Sequence, residues 1–303
     1  MRKLMMLACM LSLLLLPLLS LAGEQETEPV TAEQFLSTFN YQKGLIELPN
    51  GVAQLDVPEE FRYLDAENAK RFLEEGWGNP DGSGTMGMLL PVETDLFGPE
   101  GWAVVITYQE DGYVSDEDAA DIDYDELLIS MQEDTEKANE RRAEMGYGKL
   151  SLLGWARPPH YDGEAKKLYW AKELQFEGEE ESTLNFNVRI LGRKGVLVMN
   201  AVSATSQLAQ IEQRMDQVLA FSEFKEGYRY GDYQAGVDKV AAYGLAALIG
   251  GKVAAKAGLL AKLGGLLMAF KKFVFIGIAA VGGFLVKIFK RRKAAVEPPT
   301  AAE

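Results

Sequence analysis

Residues 183–203, TLNFNVRILGRKGVLVMNAVS, indicate two consecutive strands, and this stretch decides the fold class. Residues 183–191 and 196–203 are rich in β-branched and other apolar side chains, which favour extended backbone. The four residues between them, Gly192-Arg193-Lys194-Gly195, have the composition of a tight turn. A turn this short joins the two strands as a hairpin, so the sequence predicts antiparallel pairing.

Further strands are predicted on the N-terminal side of this hairpin. Asn50-Gly51, a strong two-residue turn signal, separates residues 44–48 from residues 52–57 and indicates a first hairpin. The remaining predicted strands are residues 88–92, 102–108, 150–155 and 167–174. No repeat with a period of 20–50 residues is visible, so the strands belong to one ordinary domain.

The predicted helices are segregated from the hairpins. Thr31 and Gln34 form a capping-box pattern at the start of the first helix. The other predicted helices are one that Asp65 caps and Gly76 ends, residues 124–145, and residues 206–219. Together these elements predict an α+β fold, a mainly antiparallel twisted sheet covered by helices. Their order, which ends on a short Ser-Glu-Phe after the last helix, resembles the PsbP-like sandwich of small secreted binding modules.

Charge divides the 303-residue chain into two bodies of opposite sign. Residues 23–238 carry 18 Lys and Arg against 43 Asp and Glu, whereas residues 239–293 carry 11 Lys and Arg and no acid. The composition is otherwise close to that of an average globular protein, which excludes collagens, mostly disordered chains and polytopic transporters. An acidic globule of this size does not bind nucleic acid through its phosphates.

The N-terminus has the pattern of a secretory signal peptide, residues 1–22. Arg2 and Lys3 precede an apolar run, and Ser20 and Ala22 place small residues before a cleavage site. An uncleaved signal anchor is the alternative. The chain's one cysteine, Cys9, lies inside the apolar run, so the mature chain is predicted to contain no disulfide and no thiolate chemistry.

The C-terminal end predicts a membrane anchor. Residues 273–289 form an apolar segment about 25 Å long as a helix, with basic residues on both sides. A buried core helix is the alternative. The basic cluster of residues 290–293 is expected to stay cytoplasmic, with residues 290–303 as a stop-transfer sequence and disordered tail. The predicted topology is therefore one span, with the acidic domain, residues 23–238, facing away from the cytoplasm.

Between the globule and the span, residues 239–272 predict a basic amphipathic segment. Lys252, Lys256 and Lys262 fall on one face of a helix, which suits a position in the lipid headgroup region. A second span is the alternative, but it would place Lys252 and Lys256 near its middle. The residues expected at the membrane interface are Lys252, Lys256, Lys262, Lys271, Lys272, Lys290, Arg291, Arg292 and Lys293.

Acidic residues crowd the stretch Asp111–Glu126. Calcium takes six to eight oxygen ligands, so a weak cation site is one interpretation, although the spacing is not that of an EF-hand. The candidate ligands are Asp116, Asp118, Asp121, Asp123 and Asp125. The alternative is a solvated helix N-terminus, where carboxylates interact favourably with the helix dipole. No metal site is assigned with certainty from this pattern.

Motifs for catalysis are scarce. His160 is the only histidine, which argues against a catalytic zinc site, and no G-x-S-x-G nucleophile elbow is present. Residues 82–87, GSGTMG, match a dinucleotide motif in spelling, but they lie between a predicted helix and a predicted strand, the wrong order for binding phosphate. No catalytic residue, cofactor or nucleotide is therefore predicted, although a hydrolase that uses carboxylates alone stays open.

Several phrases resemble one known family, the membrane-anchored bacterial proteins that share domain of unknown function 2167. The matching phrases are Gly112-Tyr113-Val114-Ser115-Asp116, Gly154-Trp155-Ala156, Pro158-Pro159-His160-Tyr161, Leu168-Tyr169-Trp170-Ala171-Lys172, Tyr230-Gly231-Asp232-Tyr233, and Asp238 with Ala241-Ala242-Tyr243-Gly244. The resemblance implies a bacterial envelope protein with a signal peptide and a C-terminal anchor. Together with the predicted topology, it implies a single-pass protein of the bacterial inner membrane whose main domain faces the periplasm or outside. It brings no known activity and no catalytic residues.

The sequence thus favours a membrane-anchored envelope protein with a non-enzymatic binding module outside the cytoplasm. The expected partners are the lipid bilayer and an unidentified envelope protein or ligand. The alternative function is a carboxylate-based or cation-dependent hydrolase that acts on an envelope substrate. A deep pocket holding two carboxylates near Asp111–Glu126 would favour the hydrolase.

Overall fold

The structure, a computed structural model, describes residues 31–79 and 81–251. The chain divides into two compact units, residues 1–38 and 39–303. The described part of the first unit contains helix α1 (Ala32–Ser37). The predicted capping box is confirmed, because the Thr31 side chain accepts a hydrogen bond from the Gln34 amide and the Gln34 side chain accepts one from the Thr31 amide.

The described part of the second unit is built from strands and helices with the following bounds. The strands are β1 (Gly44–Glu47), β2 (Ala53–Val57), β3 (Phe61–Asp65), β4 (Thr85–Pro91), β5 (Ala103–Gln109), β6 (Leu150–Asp162), β7 (Lys167–Phe176), β8 (Thr183–Leu191), β9 (Val196–Ala204) and β10 (Ser222–Phe224). The helices are α2 (Ala66–Arg71), which continues as a π-helical turn, α3 (Tyr124–Glu144), α4 (Leu208–Ala220) and α5 (Leu245–Gly250).

These strands form two antiparallel sheets. The larger sheet has the order β3-β4-β5-β9-β8-β7-β6, and the smaller has the order β1-β2-β10. The β8–β9 hairpin deduced from residues 183–203 lies inside the larger sheet, between β5 and β7. The predicted α+β class with mainly antiparallel pairing is therefore confirmed.

The main core lies between one face of the larger sheet, the smaller sheet and α4. Every second residue of β8 faces this core, because side chains alternate across a strand. Leu184, Phe186, Val188 and Ile190 are all buried there, with Leu55 of β2 and Met215 of α4 in the same cluster. The amphipathic pattern of α4 follows from this contact, since its buried residues all face the sheet.

A second core lies on the opposite face of the larger sheet. Leu168 and Trp170 of β7 pack there with Leu127 of α3. Helix α5 joins this core through Leu245, Leu248 and Ile249, all at most 6% exposed. Residues 239–251 were expected in the membrane-proximal segment, whereas in the structure Ala241, Tyr243 and the apolar residues of α5 pack against the globule.

Two strands differ from the predictions. Strand β3 was not predicted, although it pairs with β4 along its whole length. Strand β6 continues to Asp162 through Pro158 and Pro159, where a loop was predicted. The prolines are accommodated because β6 is the edge strand of the larger sheet and its register shifts there, so the missing amide donors disrupt no central ladder.

Within the described residues, no helix is long and apolar enough to cross a membrane. The predicted signal peptide, the span at 273–289 and the interface residues from Lys252 to Lys293 all lie outside the described part of the chain.

Candidate functional site

The C-terminal part of the described chain, residues 228–251, crosses the start of the acidic stretch and is called the strap below. The strap pairs with the acidic stretch through backbone hydrogen bonds: the Tyr113 amide donates to the Lys239 carbonyl, and the Ala241 amide donates to the Tyr113 carbonyl, both at 2.8 Å. Tyr113 and Val240 form a parallel bridge at this point. The strap therefore adds a short extended segment beside Tyr113 before it turns into α5.

Asp116 is the centre of a polar cluster that involves the strap and the β6–β7 turn. One carboxylate oxygen accepts hydrogen bonds from the Tyr161 hydroxyl at 2.5 Å and from the Lys166 ammonium at 2.8 Å. The other accepts from the Tyr230 hydroxyl of the strap at 3.0 Å. These four residues, Asp116, Tyr161, Lys166 and Tyr230, are called the clasp below.

The clasp holds Asp116 as a carboxylate. Partial burial alone would raise its pKa, but the hydrogen bonds from Lys166, Tyr161 and Tyr230 outweigh burial and lower the pKa below its ordinary value. Burial and the bond to Asp116 raise the pKa of the Tyr161 hydroxyl in turn. The group is thus a stable charge-assisted network at neutral pH, rather than an acid that readily exchanges its proton.

Aromatic stacking reinforces the same contact. The Tyr113 ring lies between two strap tyrosines, with centroids 4.4 Å from Tyr230 and 4.0 Å from Tyr233. The Lys166 ammonium lies 5.0 Å from the Tyr230 ring centroid, within the range of a cation–π interaction. Lys166 is also the one non-glycine residue of the described chain in the left-handed region, at φ 55°. The β6–β7 turn thus places Lys166 in a backbone conformation that is uncommon for a residue other than glycine, and from this position its ammonium group contacts Asp116.

Three further contacts attach the strap. Arg193 binds Asp238 through two hydrogen bonds of 2.8 and 3.0 Å, and the Asp238 side chain is 5% exposed. The Leu245 amide at the start of α5 donates to Asp118 at 3.1 Å, and the Tyr243 hydroxyl donates to Asp111 at 2.6 Å. These contacts hold the centre and the C-terminal half of the strap, and Tyr230 of the clasp holds its N-terminal end.

The five aspartates predicted as cation ligands have different roles in the structure. Asp116 and Asp118 bind the strap, whereas Asp123 caps α3 by accepting hydrogen bonds from the Asp125 and Glu126 amides. Asp121 ends a 3₁₀ turn, and Asp125 lies exposed in the first turn of α3. Within residues 31–79 and 81–251, no three metal-ligating side chains converge. Weak calcium binding by these aspartates stays a prediction.

His160 lies on strand β6, opposite Tyr169 of β7, and its side chain is exposed. Tryptophans often line binding grooves, but Trp102 and Trp170 are each 1% exposed and belong to the cores. Trp155 is partly buried, and its indole nitrogen donates to the Tyr124 carbonyl at 3.3 Å. These residues therefore do not form a groove together.

A polar patch on the second face of the larger sheet was not predicted from the sequence. Asn185, Asn187 and Arg189 alternate with the core residues of β8 and so point away from the main core. Register places Trp170 opposite Asn187 and Lys172 opposite Asn185, on the same face. Alternating polar residues in an otherwise apolar strand were the signal that could have revealed it.

Arg189 and Lys172 give this patch a positive charge. Arg189 is 8% exposed, and burial lowers its pKa to about 10, so the guanidinium stays charged at neutral pH. Burial, and secondly repulsion by Arg189, lowers the pKa of Lys172. The Arg189 guanidinium lies 4.8 Å from the Trp170 ring centroid.

A cavity of about 250 Å³ lies near the start of β8. Thr183 and Val202 contribute to its lining, and Val202 pairs with Asn185 in the sheet register. Trp77 from the end of the π-helical turn and the acidic Glu181 also line it. The two cations of the patch do not line the cavity, so the patch and the cavity are separate features.

Comparison with known structures finds distant similarity. The chain is similar to cyanobacterial PsbP (CyanoP) from Synechocystis sp. PCC 6803, with 9% identity and a TM-score of 0.35, over 62% of this chain and 92% of that one. It is also similar to the Ran-binding protein Mog1p of Saccharomyces cerevisiae, with 13% identity and a TM-score of 0.32, over 61% of this chain and 95% of that one.

No curated protein matches the chain. The family model described as "Protein of unknown function (DUF2167)" matches residues 40–282, which include both sheets, the strap and the clasp. Because this match extends over well more than half of the 303 residues, the chain belongs to the DUF2167 family.

Proposed function

We propose that the chain is a membrane-anchored envelope protein whose extracytoplasmic domain binds a partner without catalysing a reaction. The observation that carries this proposal is that acids of Asp111–Glu126 accept structural hydrogen bonds. The hydrolase alternative would need its catalytic acids in this same region. Asp111, Asp116 and Asp118 accept hydrogen bonds from the strap, and Asp123 caps a helix. Carboxylates held in these hydrogen bonds stabilise the fold.

The state of Asp116 also supports a non-catalytic role. A general acid works best with a pKa near the operating pH, so that it can give and regain a proton. Three donors lower the pKa of Asp116 instead. The two cavities described for the globule, of about 250 and 370 Å³, are lined by no residue of Asp111–Glu126.

The anchor part of the proposal is based on the sequence outside the described residues. The strap ends at Gly251, directly before the basic apolar segment that leads to residues 273–289. Because the clasp fixes the strap to the sheet, the anchor segment would begin at the surface of the globule, directly after Gly251. The PsbP-like form of the sandwich likewise stays a prediction from element order.

Complementation of a deletion strain tests the non-enzymatic role. We expect His160→Ala to restore the wild-type phenotype fully, because this histidine is exposed on strand β6 and lines neither described cavity. We expect the same of a triple variant, Glu117→Gln, Asp121→Asn and Asp125→Asn, which removes three exposed acids outside the clasp. Immunoblots of membrane fractions check that abundance is unchanged.

Loss of function in either variant at wild-type abundance would argue for catalysis or cation binding and against the proposal. Ser151→Cys, at an exposed position of β6, is the matched control. It changes the surface of the globule without removing an acid, so it should complement the deletion as the wild type does. It also serves the topology experiment below.

Cysteine labelling in intact spheroplasts tests the topology. A cysteine inserted after Lys293 should resist an impermeant maleimide, because the basic cluster is expected on the cytoplasmic side. Ala257→Cys should react if the basic amphipathic segment lies on the outer surface, and Ser151→Cys should react as the positive control. Labelling of the tail cysteine without lysis would mean that the chain does not cross once in the proposed direction.

A further inference from the structure

We propose that the polar patch on the second face of the larger sheet is a binding site for a carboxylate ligand, with Arg189, Trp170 and Lys172 as its donors. This inference rests on the proposed function, because it names the ligand class of a binding module. It concerns a surface separate from the clasp and from the acidic stretch.

Two buried donors in the patch have no acceptor. The Arg189 Nε and the Trp170 Nε1 are both buried and form no hydrogen bond. Buried donors are almost always paired in folded proteins, so two unpaired donors on neighbouring side chains mark an exception. Both groups can only donate, and together they call for an acceptor that the chain itself does not provide.

The patch also lacks a counter-charge. The guanidinium of Arg189 contacts neutral oxygens only: Val188 O at 3.2 Å, Asn200 Oδ1 at 3.3 Å and Asn187 Oδ1 at 3.5 Å. Among the ion pairs of the described residues, none involves Arg189 or Lys172. Arg189, the most buried cation of the described residues, therefore has no acidic partner, although the globule contains many acids.

The geometry of the free donors selects a carboxylate. The Nε–Nη2 edge of Arg189 carries only the weak 3.5 Å contact to Asn187, and this edge matches the two oxygens of a planar carboxylate. Lys172 lies on the same sheet face, one pair further towards the cavity, and adds a mobile ammonium. Both Lys172 and Asn185 are partly exposed, so this end of the patch is open to solvent.

The carboxylate can belong to a small organic acid or to the C-terminal end of a peptide. These two sources share the carboxylate, so the probes must separate them. Succinate represents the free acid, and alanyl-alanine with a free or amidated C-terminus represents the chain end.

The test uses full-length protein in detergent micelles with ¹⁵N-labelled tryptophan. The Trp170 indole resonance is assigned by its loss in Trp170→Phe, and it is followed during titration with succinate, alanyl-alanine, inorganic phosphate and the neutral isostere succinamide. We expect a saturable shift with at least one carboxylate probe and none with succinamide. Arg189→Met and Arg189→Lys should weaken binding roughly 10- to 100-fold, because each loses the Nε–Nη2 edge.

Arg141→Met is the matched control, since it removes an exposed arginine from α3, and it should bind as the wild type does. No shift with any carboxylate, equal shifts with succinamide, or unchanged affinity in both Arg189 variants would overturn the site. Saturable binding of phosphate alone would overturn the carboxylate assignment. Conversion of a bound probe into a product would leave the site standing and refute the non-enzymatic function instead.

Discussion

Replacing Asp116 by alanine is expected to release the strap from the sheet. The substitution removes the acceptor of three donors and leaves Lys166 and Tyr161 without their partner in the clasp. Hydrogen bonds to a charged group contribute about 1.5–3 kcal/mol each, less where solvent reaches them, as it does at the partly exposed Lys166. We expect the free energy of strap opening to fall by about 2–3 kcal/mol.

Limited trypsin digestion measures this opening, because Arg229 and Lys239 are cleavage sites within the strap. When opening is faster than cleavage, the rate follows the open population, so cleavage should rise roughly 30- to 150-fold. Asp121→Asn is the matched control, since it removes an exposed carboxylate from the same stretch. Equal cleavage of the wild type and Asp116→Ala would show that the backbone bridge and Arg193–Asp238 hold the strap unaided.

The pH dependence of the same assay has a definite sign. The pKa of Asp116 is lowered in the folded protein, so its contribution is fully present above the ordinary aspartate pKa of 3.8 and is lost as pH falls through the lower folded value. The difference between the wild type and Asp116→Ala should therefore be constant at neutral pH and shrink below about pH 4. Because trypsin is inactive there, hydrogen exchange at the Ala241 amide replaces it.

Local signals were sufficient for most of the fold. The Thr31 capping box, the Asn50-Gly51 turn and the Gly192–Gly195 turn are determined by neighbours in sequence, and the structure confirms all three. Strand β3 escaped detection because it is short and ends at Asp65, the residue whose side chain caps α2. Strand β6 was cut short because prolines are compatible with a strand only at an edge, and the sheet order is a tertiary property.

The clasp was beyond local reasoning for a different reason. Asp116 was identified as chemically interesting, but its partners lie 45, 50 and 114 positions away in the sequence. Without those partners, a crowded acidic stretch is equally compatible with a cation site, a solvated helix start and a network of internal hydrogen bonds. Likewise, Leu245, Leu248 and Ile249 have the same apolar pattern whether they face lipid or a protein core.

Replacing Arg189 by methionine should make the unliganded protein more stable. Arg189 is a buried cation with neutral partners and an unpaired Nε, so it carries a desolvation cost that no counter-charge offsets. Replacing buried ion pairs by apolar side chains of similar volume has stabilised proteins by about 1–4 kcal/mol, and we expect a gain in this range for a buried cation without a counter-charge. For a domain of this size, the melting temperature should rise by roughly 2–16 °C.

This result would separate a binding role of Arg189 from a structural one. Residues selected for binding are often suboptimal for stability, whereas residues that hold a sheet together lose stability when they are replaced. Thermal unfolding of the wild type, Arg189→Met and Arg141→Met in the same detergent provides the comparison, with Arg141→Met expected within about 0.5 kcal/mol of the wild type. A saturating carboxylate should raise the melting temperature of the wild type and of Arg141→Met but not that of Arg189→Met. The difference in melting temperature between Arg189→Met and the other two proteins should therefore become smaller. Destabilisation of Arg189→Met by more than about 1 kcal/mol would instead assign Arg189 to the sheet, through its contacts with Asn200 and Val188.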